Sequence, residues 1–264
     1  MKRAAKRPCA VAMIPTYNEA ENIAPLIRDI LALDTPCDLH ILVADDDSPD
    51  GTWRIVRRMA ARDRRVHLLR RLKRRGRGAG GIDGFRAALD LGADYVVEMD
   101  GDFSHRPAHI PALLDAAGRA DLVIGSRFVK GGRDADRSLW RRAVTWGVRR
   151  FIRRLFRVPV RDVSSGFRVF SRRLLEALDL EDLISVGPSV VLETLFKTHL
   201  MGFRTIEVPI VFVDRVRGRT KLDFVTLLET LAMALKFKKR YAPLEARRAA
   251  AASPSRPKSG RRRN

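Results

Sequence analysis

Glutamine is absent from the 264 residues, cysteine occurs twice, and tyrosine and tryptophan three times each. Cys9 and Cys37 form no Cys-x-x-Cys pair and have no histidine cluster nearby, which excludes a disulfide framework and a zinc site and suits a reducing cytoplasm. Long apolar runs are missing too. The most apolar late segment, 224–237, is interrupted by Glu229 and Lys236 and is too short to span a bilayer as a helix. Residues 1–7 are basic, but a strand-like segment follows at once without an apolar stretch of signal length, so secretion is not expected. The glycine-rich run at 76–81 lacks the Gly-Lys-Ser/Thr ending of a phosphate loop.

Positive charge is present in excess. The 52 Lys and Arg against 31 Asp and Glu give a formal charge of +21, which attracts phosphate in nucleic acid, anionic lipid or nucleotide without choosing among them. At 45% hydrophobic the chain can bury an ordinary core. The expected organisation is a basic tail over 1–8, one α/β domain over 9–241, and a disordered basic tail over 242–264, where Ala, Ser, Pro and Arg follow one another without periodicity.

Within the domain, apolar runs at Cys9–Ile14, Leu39–Ala44, Val66–Leu69, Tyr95–Met99 and Leu122–Gly125 alternate with helical patterns at Glu19–Leu33, Gly51–Arg62, Ala79–Leu91 and Pro107–Ala117. That rhythm predicts a mainly parallel, Rossmann-like sheet flanked by helices. Ligands of such sheets sit at the carboxyl ends of strands, and polar clusters follow three of these runs, at 15–19, 45–50 and 100–105. Between Arg137 and Arg161 there are nine arginines and no acid, with apolar residues recurring in pairs. This predicts a basic amphipathic helix, centred on 137–157, that either covers the core with its arginines in water or also touches anionic headgroups.

Asp100 and Asp102, separated by one glycine after a strand, project two carboxylates from a turn and can hold Mg²⁺ or Mn²⁺ on a diphosphate. The carboxylates from Asp45 to Asp50 repel one another unless cations or hydrogen-bond donors answer them; Ser48 or Asp50 is expected to cap the next helix, and Asp45 is left for a ribose or base edge. The glycines at 76–81, interleaved with Arg74, Arg75 and Arg77, suit either phosphate approached through backbone amides or a flexible basic loop. Arg127 and Arg168 sit beside Gly and Ser in turn settings, as do Arg215 to Lys221, and an arginine fork grips phosphate oxygens.

Taken in order, Ile14–Ile23, Val43–Thr52, Met99–His105, Gly125–Gly132, Ser165–Arg168 and Glu207–Arg215 with Gly218 and Lys221 resemble the family 2 glycosyltransferases of the GT-A fold, in particular the dolichol or polyprenol phosphate mannose synthases. The resemblance covers residues 10–240. It implies that Pro15, Tyr17, Glu19, Val43, Asp45 and Arg215 receive the nucleotide of GDP-mannose, and that Asp100 and Asp102 hold the metal, with Ser104 where many relatives offer Gln as a third group. It further implies that Arg127 and Arg168 grip the acceptor phosphate, with Lys221 closing the site. The absence of Gln excludes the Gln-x-x-Arg-Trp motif of processive polysaccharide synthases. Gly81 stands where a Tyr is frequent, and Gly187-Pro-Ser-Val-Val-Leu replaces a Gly-Tyr-x-Phe-Gln segment.

The reaction implied is inverting mannosyl transfer to a polyprenyl monophosphate at the cytoplasmic face of the membrane, by a protein peripheral to it. The missing span leaves room for a membrane-anchored partner protein. A phosphate acceptor is already ionised near neutral pH and requires no enzyme base. A hydroxyl acceptor would need one, and Glu193 is the candidate, unless it is a helix carboxylate paired with Lys197. Another nucleotide sugar, UDP-glucose or an aminosugar donor, is the neighbouring reading. Nucleic-acid binding is disfavoured, because acidic strand ends repel a phosphate backbone and no helix-turn-helix, RNP-type or zinc motif accompanies the charge.

Overall fold

A computed structural model describes residues 7–73, 75–134, 139–185, 187–213 and 224–252. Arg74, Arg215, Gly218 and Lys221, all named above, lie outside the described residues. So do the ends 1–6 and 253–264.

The first half alternates as expected: β1 (Cys9–Thr16), α1 (Ala20–Leu31), β2 (Asp38–Asp45), α2 (Thr52–Ala60), β3 (Val66–Arg70), α3 (Arg77–Asp90), β4 (Tyr95–Glu98), a single 3-10 turn (Pro107–His109), α4 (Ile110–Ala117) and β5 (Leu122–Ser126). There follow β6 (Arg133–Asp134), α5 (Leu139–Phe156), β7 (Arg168–Ser171), α6 (Arg172–Ala177), α7 (Val190–Leu200), β8 (Thr205–Pro209), β9 (Val211–Phe212), α8 (Phe224–Arg240) and α9 (Ala242–Ala252). Seven strands form one sheet in the order β3-β2-β1-β4-β7-β5-β8, and β6 pairs with β9 in a small second sheet. All neighbours in the large sheet are parallel except β7, which runs antiparallel to both β4 and β5. Chain order reverses between β1 and β4, so a topological switch point lies there.

Successive strand residues point to opposite faces, and here both faces are apolar. In β1, Val11 and Met13 enter one core while Ala10, Ala12 and Ile14 enter the other. The first core also takes Phe85 of α3, Phe156 of α5, Phe196 of α7 and Phe237 of α8. The second takes Ile23, Leu26, Ile27 and Ile30 of α1, Val56 of α2, and Leu113 and Leu114 of α4. This three-layer packing explains why the strands read as continuous apolar runs.

The basic helix is real and two-sided. Ile152 and Phe156 are buried, and the Phe156 ring stacks on Phe196 at 4.1 Å, which adds about 0.5–1.5 kcal/mol beyond area burial. On its other side Trp146 and Phe151 are exposed, as are Leu228 and Leu235 of the neighbouring α8. The disordered tail expected from Ala242 needs correction over 242–252, which form α9. Alanine's helix propensity supplies the tendency, Leu244 packs on the core, and Lys238 pairs with Glu245 at 2.5 Å.

Candidate active site

Carboxylates from two strand ends meet around β1. Thr16, the last residue of β1, is level with Asp45, the last of β2, and its hydroxyl donates to Asp45 Oδ2 at 2.8 Å. Ser48 donates its amide to Oδ1 at 2.9 Å and its hydroxyl to Oδ2 at 2.7 Å. Asp45 is thus buried with about one of a carboxylate's four acceptor positions left. On the other flank of β1, a Cβ on Gly101 would stand 3.2 Å from Thr16 Cγ2 and 3.6 Å from Glu19 Cγ. The turn bearing Asp100 and Asp102 therefore lies against Thr16, the same residue that bonds Asp45. Each of the three strand-end turns contains a non-glycine residue in the left-handed region, Asn18, Asp47 and Phe103, a form of strain that gathers at functional sites.

The other expected nucleotide residues separate by exposure. Tyr17 is exposed, Pro15 half-buried in β1, and Glu19 half-buried with Oε2 accepting from Asn22 Nδ2 at 2.8 Å. Val43 is wholly buried in the second core, so the expected contact cannot fall to its side chain. The remaining carboxylates are answered from within the chain. Asp46 pairs with Arg71 and accepts from the Gly76 amide at 2.6 Å, while Asp47 pairs with Arg70 and with Arg75 at 3.0 Å. Asp50 accepts from the Ala20 and Thr52 amides, both at 2.9 Å, and so serves the starts of both α1 and α2.

At the end of β4, Asp102 is buried and its Oδ1 accepts from the Ser104 amide at 3.1 Å and hydroxyl at 2.6 Å. Asp100 Oδ1 accepts from Arg77 Nη2 at 2.7 Å, and its amide donates to His105 Nδ1 at 3.0 Å. That bond leaves the ring proton on Nε2, and burial holds His105 below its ordinary value, so the imidazole is neutral. His105 stacks on Phe167 at 5.0 Å and bridges to Phe212 of β9, which fixes the turn from behind. Burial pushes Glu98 up to about 6 against the pull of Arg77 and Arg168. The Asp100 carboxylate in turn holds the Arg77 guanidinium above its usual value.

Among the described residues no three His, Cys, Asp or Glu stand close enough to hold a metal by themselves. Two aspartates and a serine hydroxyl nevertheless suit a hard cation that keeps waters and takes its other oxygens from a diphosphate, which is how Mg²⁺ is usually bound. The donor set fits a nucleotide-carried metal rather than an all-protein cage.

The two arginines expected at the acceptor part company. Arg127, just past β5, is gripped by Asp162: its amide and Nε donate to Oδ2 at 3.0 and 2.8 Å, and Nη2 donates to Oδ1 and to Ser164 Oγ, both at 2.8 Å. None of these bonds uses Nη1. Arg168, first in β7, is level with Glu98, but its side chain turns into the interior and is wholly buried. There it donates to the carbonyls of Ser165 at 2.7 Å, Val191 at 2.6 Å and Val163 at 3.2 Å, and burial lowers it to about 10. The expected grip of Arg168 on a phosphate is therefore corrected: its donors tie the 163–165 loop to α7. Glu193 is corrected too. It is wholly buried, accepts from the Ile184 and Ser185 amides and from Tyr241 Oη at 2.6 Å, and does not pair with Lys197, whose ammonium goes to Leu178 O and Asp182.

Several contributors gave no advance signal. Asp162 reaches Arg127 across 35 residues, and Arg71 reaches Asp46 across 25. Arg77 was legible only as one cation in a glycine-rich run.

Acidic groups at the carboxyl ends of parallel strands, beside a switch point and bordered by arginines, define an α/β enzyme of the nucleotide-sugar transferase class. The chain belongs to glycosyl transferase family 2, whose model matches residues 11–179. It is 40% identical over 213 residues to the undecaprenyl-phosphate mannosyltransferase of Micrococcus luteus, covering 81% of this chain and 87% of that protein. To the polyprenol monophosphomannose synthase of Mycolicibacterium smegmatis it is 38% identical over 224 residues, 84% of this chain and 83% of that one. Among solved structures it resembles glucosyl-3-phosphoglycerate synthase from Mycobacterium tuberculosis in complex with Mn²⁺, uridine diphosphate and glucosyl-3-phosphoglycerate, with a TM-score of 0.60 and 21% identity, covering 92% of this chain and 80% of that one. The fold is GT-A.

Proposed function

We propose that this glycosyltransferase moves mannose from GDP-mannose to a polyprenyl monophosphate with inversion at the sugar carbon. One observation carries the reading: Asp45 and the Asp100–Asp102 turn lie against the same strand end, with Arg127 following β5 further along that edge. The similarity to the Micrococcus luteus and Mycolicibacterium smegmatis proteins names mannose and a polyprenyl phosphate.

In this reading the nucleoside lies over Pro15, Tyr17 and Glu19, and Asp45, oriented by Thr16 and Ser48, takes one further donor. Asp100, Asp102 and Ser104 would hold Mg²⁺ or Mn²⁺, which would supply positive charge against that developing on the leaving group. Arg127, held rigid by Asp162, presents Nη1 to the acceptor phosphate and offsets repulsion between two anionic substrates. An acceptor phosphate oxygen bonds to the anomeric carbon as the bond from that carbon to the diphosphate oxygen breaks, and GDP departs. No proton has to be removed. This agrees with the burial of Glu193, whose carboxylate is already engaged by Tyr241 and two amides.

The lipid acceptor must reach the site from a membrane, and no helix among the described residues is long and apolar enough to cross one. Trp146 and Phe151 of α5 are 62% and 44% exposed, and Leu228 and Leu235 of α8 are 50% and 54% exposed. Close by, Arg150, Arg153, Arg154 and Arg157 line a cavity of about 360 Å³. Apolar side chains beside arginines suit an interfacial surface on anionic lipid.

The experiment is a panel of labelled nucleotide sugars incubated with polyprenyl phosphate, with and without Mg²⁺ or Mn²⁺. Metal-dependent appearance of label in the organic phase from GDP-mannose is expected. Label from UDP-glucose alone would reassign the donor, and transfer only to free sugar hydroxyls would overturn the acceptor.

A further inference from the structure

Arg77 has no part in the transfer described above, yet it lies at the centre of the acidic site. Its Nη2 stands 2.7 Å from Asp100 Oδ1, and its Nε is buried without a hydrogen-bond partner among the described residues. Gly166 leaves the space it fills: a Cβ there would stand 2.8 Å from Nη2. The charged and titratable groups facing it are Glu98, Asp100, Asp102 and His105 from β4 and its turn, and Arg168 from β7. Of the two arginines, Arg168 is fixed by bonds to three carbonyls and the Thr194 hydroxyl. Arg77 is held by its ion pair to Asp100. It begins α3, and Gly76 before it has φ 124° and ψ 153°, a conformation that only glycine adopts readily.

We propose that Arg77 is an internal counterion that holds, in the ligand-free protein, the charge position taken by the divalent cation when nucleotide binds. The inference rests on the assignment of Asp100 and Asp102 to the metal. A divalent cation on the Asp100 carboxylate repels the guanidinium beside it, which then withdraws, and a diphosphate supplies the oxygens to receive its fork. Cation and nucleotide then bind with positive coupling, each strengthening the other by the same factor. The cation's affinity is low until the nucleotide arrives.

The test is Mn²⁺ binding by the full chain, followed by the electron paramagnetic resonance of free Mn²⁺, with and without GDP and in the absence of any acceptor. Without GDP, Arg77→Leu should bind Mn²⁺ roughly tenfold more tightly than the wild type, since a unit charge about 4 Å away is removed. Arg77→Gln, which keeps an amide donor for Asp100, should tighten binding likewise and serves if the leucine variant does not fold. GDP should strengthen Mn²⁺ binding in the wild type by a larger factor than in either variant. Unchanged or weaker Mn²⁺ binding in both Arg77 variants, with Asp102→Ala abolishing it, would overturn the counterion role while sparing the metal assignment. Undiminished Mn²⁺ binding by Asp102→Ala would overturn both.

Discussion

Replacing Asp162 with Asn removes one negative charge from a wholly buried site and changes almost no volume. Asp162 accepts from the Arg127 amide and, through both carboxylate oxygens, from its guanidinium at 2.8 Å, and the Arg127 side chain is itself only 6% exposed. The variant therefore leaves a buried guanidinium without its counter-charge, and breaking one side of a buried pair costs about 3–5 kcal/mol. At roughly 2–4 °C per kcal/mol for a chain of this size, Tm falls by about 6–20 °C. Burial alone would raise the Asp162 carboxyl, but the hydrogen bonds and charge of Arg127 overcome it and hold the group below its ordinary value. Its stabilisation is accordingly present above the unfolded carboxylate value of about 3.9 and is lost as pH falls through the lower folded value. Thermal unfolding of both proteins between pH 7 and pH 3 should show a wide gap at neutrality that begins to narrow only below about pH 3.9. Because Arg127 also loses its orientation, KM for the lipid phosphate should rise more than KM for the nucleotide sugar. A Tm within about 2 °C of the wild type at pH 7, below the shift for even 1 kcal/mol, would refute the clamp.

Arg127→Ala should raise the lipid-phosphate KM at least about tenfold, the loss of one charge-assisted bond, with a smaller change for the donor in steady-state kinetics; equal changes would remove Arg127 from the acceptor site. Tyr241→Phe deletes the hydroxyl that donates to buried Glu193 at 2.6 Å and should cost about 1.5–3 kcal/mol in urea unfolding with little effect on KM for either substrate. Trp146→Ser with Phe151→Ser should weaken sedimentation with anionic liposomes while leaving transfer to a detergent-dispersed acceptor intact, and wild-type binding should weaken as salt rises. Equal binding to neutral vesicles would argue against the interfacial surface.

The first half of the fold was legible because each strand is a short apolar run and each helix has a clear period. β1 to β5 lie within two residues of the expected positions. β7 was not legible. Its four residues follow Ser164-Ser-Gly-Phe, which reads as a turn, and its antiparallel insertion between β4 and β5 is decided by tertiary pairing. The same insertion misled the reading of Arg168: the motif put it at the correct edge of the sheet, but local sequence does not say whether a side chain points out of the sheet end or back toward α7. α3 begins two residues early despite Gly78, Gly80 and Gly81, with Arg77 on Asp100 and Gly76 on Asp46 anchoring its first turn against the strand ends. Glu193 looked available because its true partner, Tyr241, is 48 residues away. The carboxylate cluster itself was visible from position alone, since strand ends of a parallel sheet share one edge.

The proposed nucleotide site at Asp100 and Asp102 is bridged by a cation, and GDP binding by calorimetry, with Mn²⁺ or with EDTA, measures that bridge directly. The wild type should bind GDP strongly only with Mn²⁺, and Asp102→Ala, still folded, should bind it equally weakly in both. GDP binding that is as tight in EDTA as in Mn²⁺, or unaltered in Asp102→Ala, would contradict it.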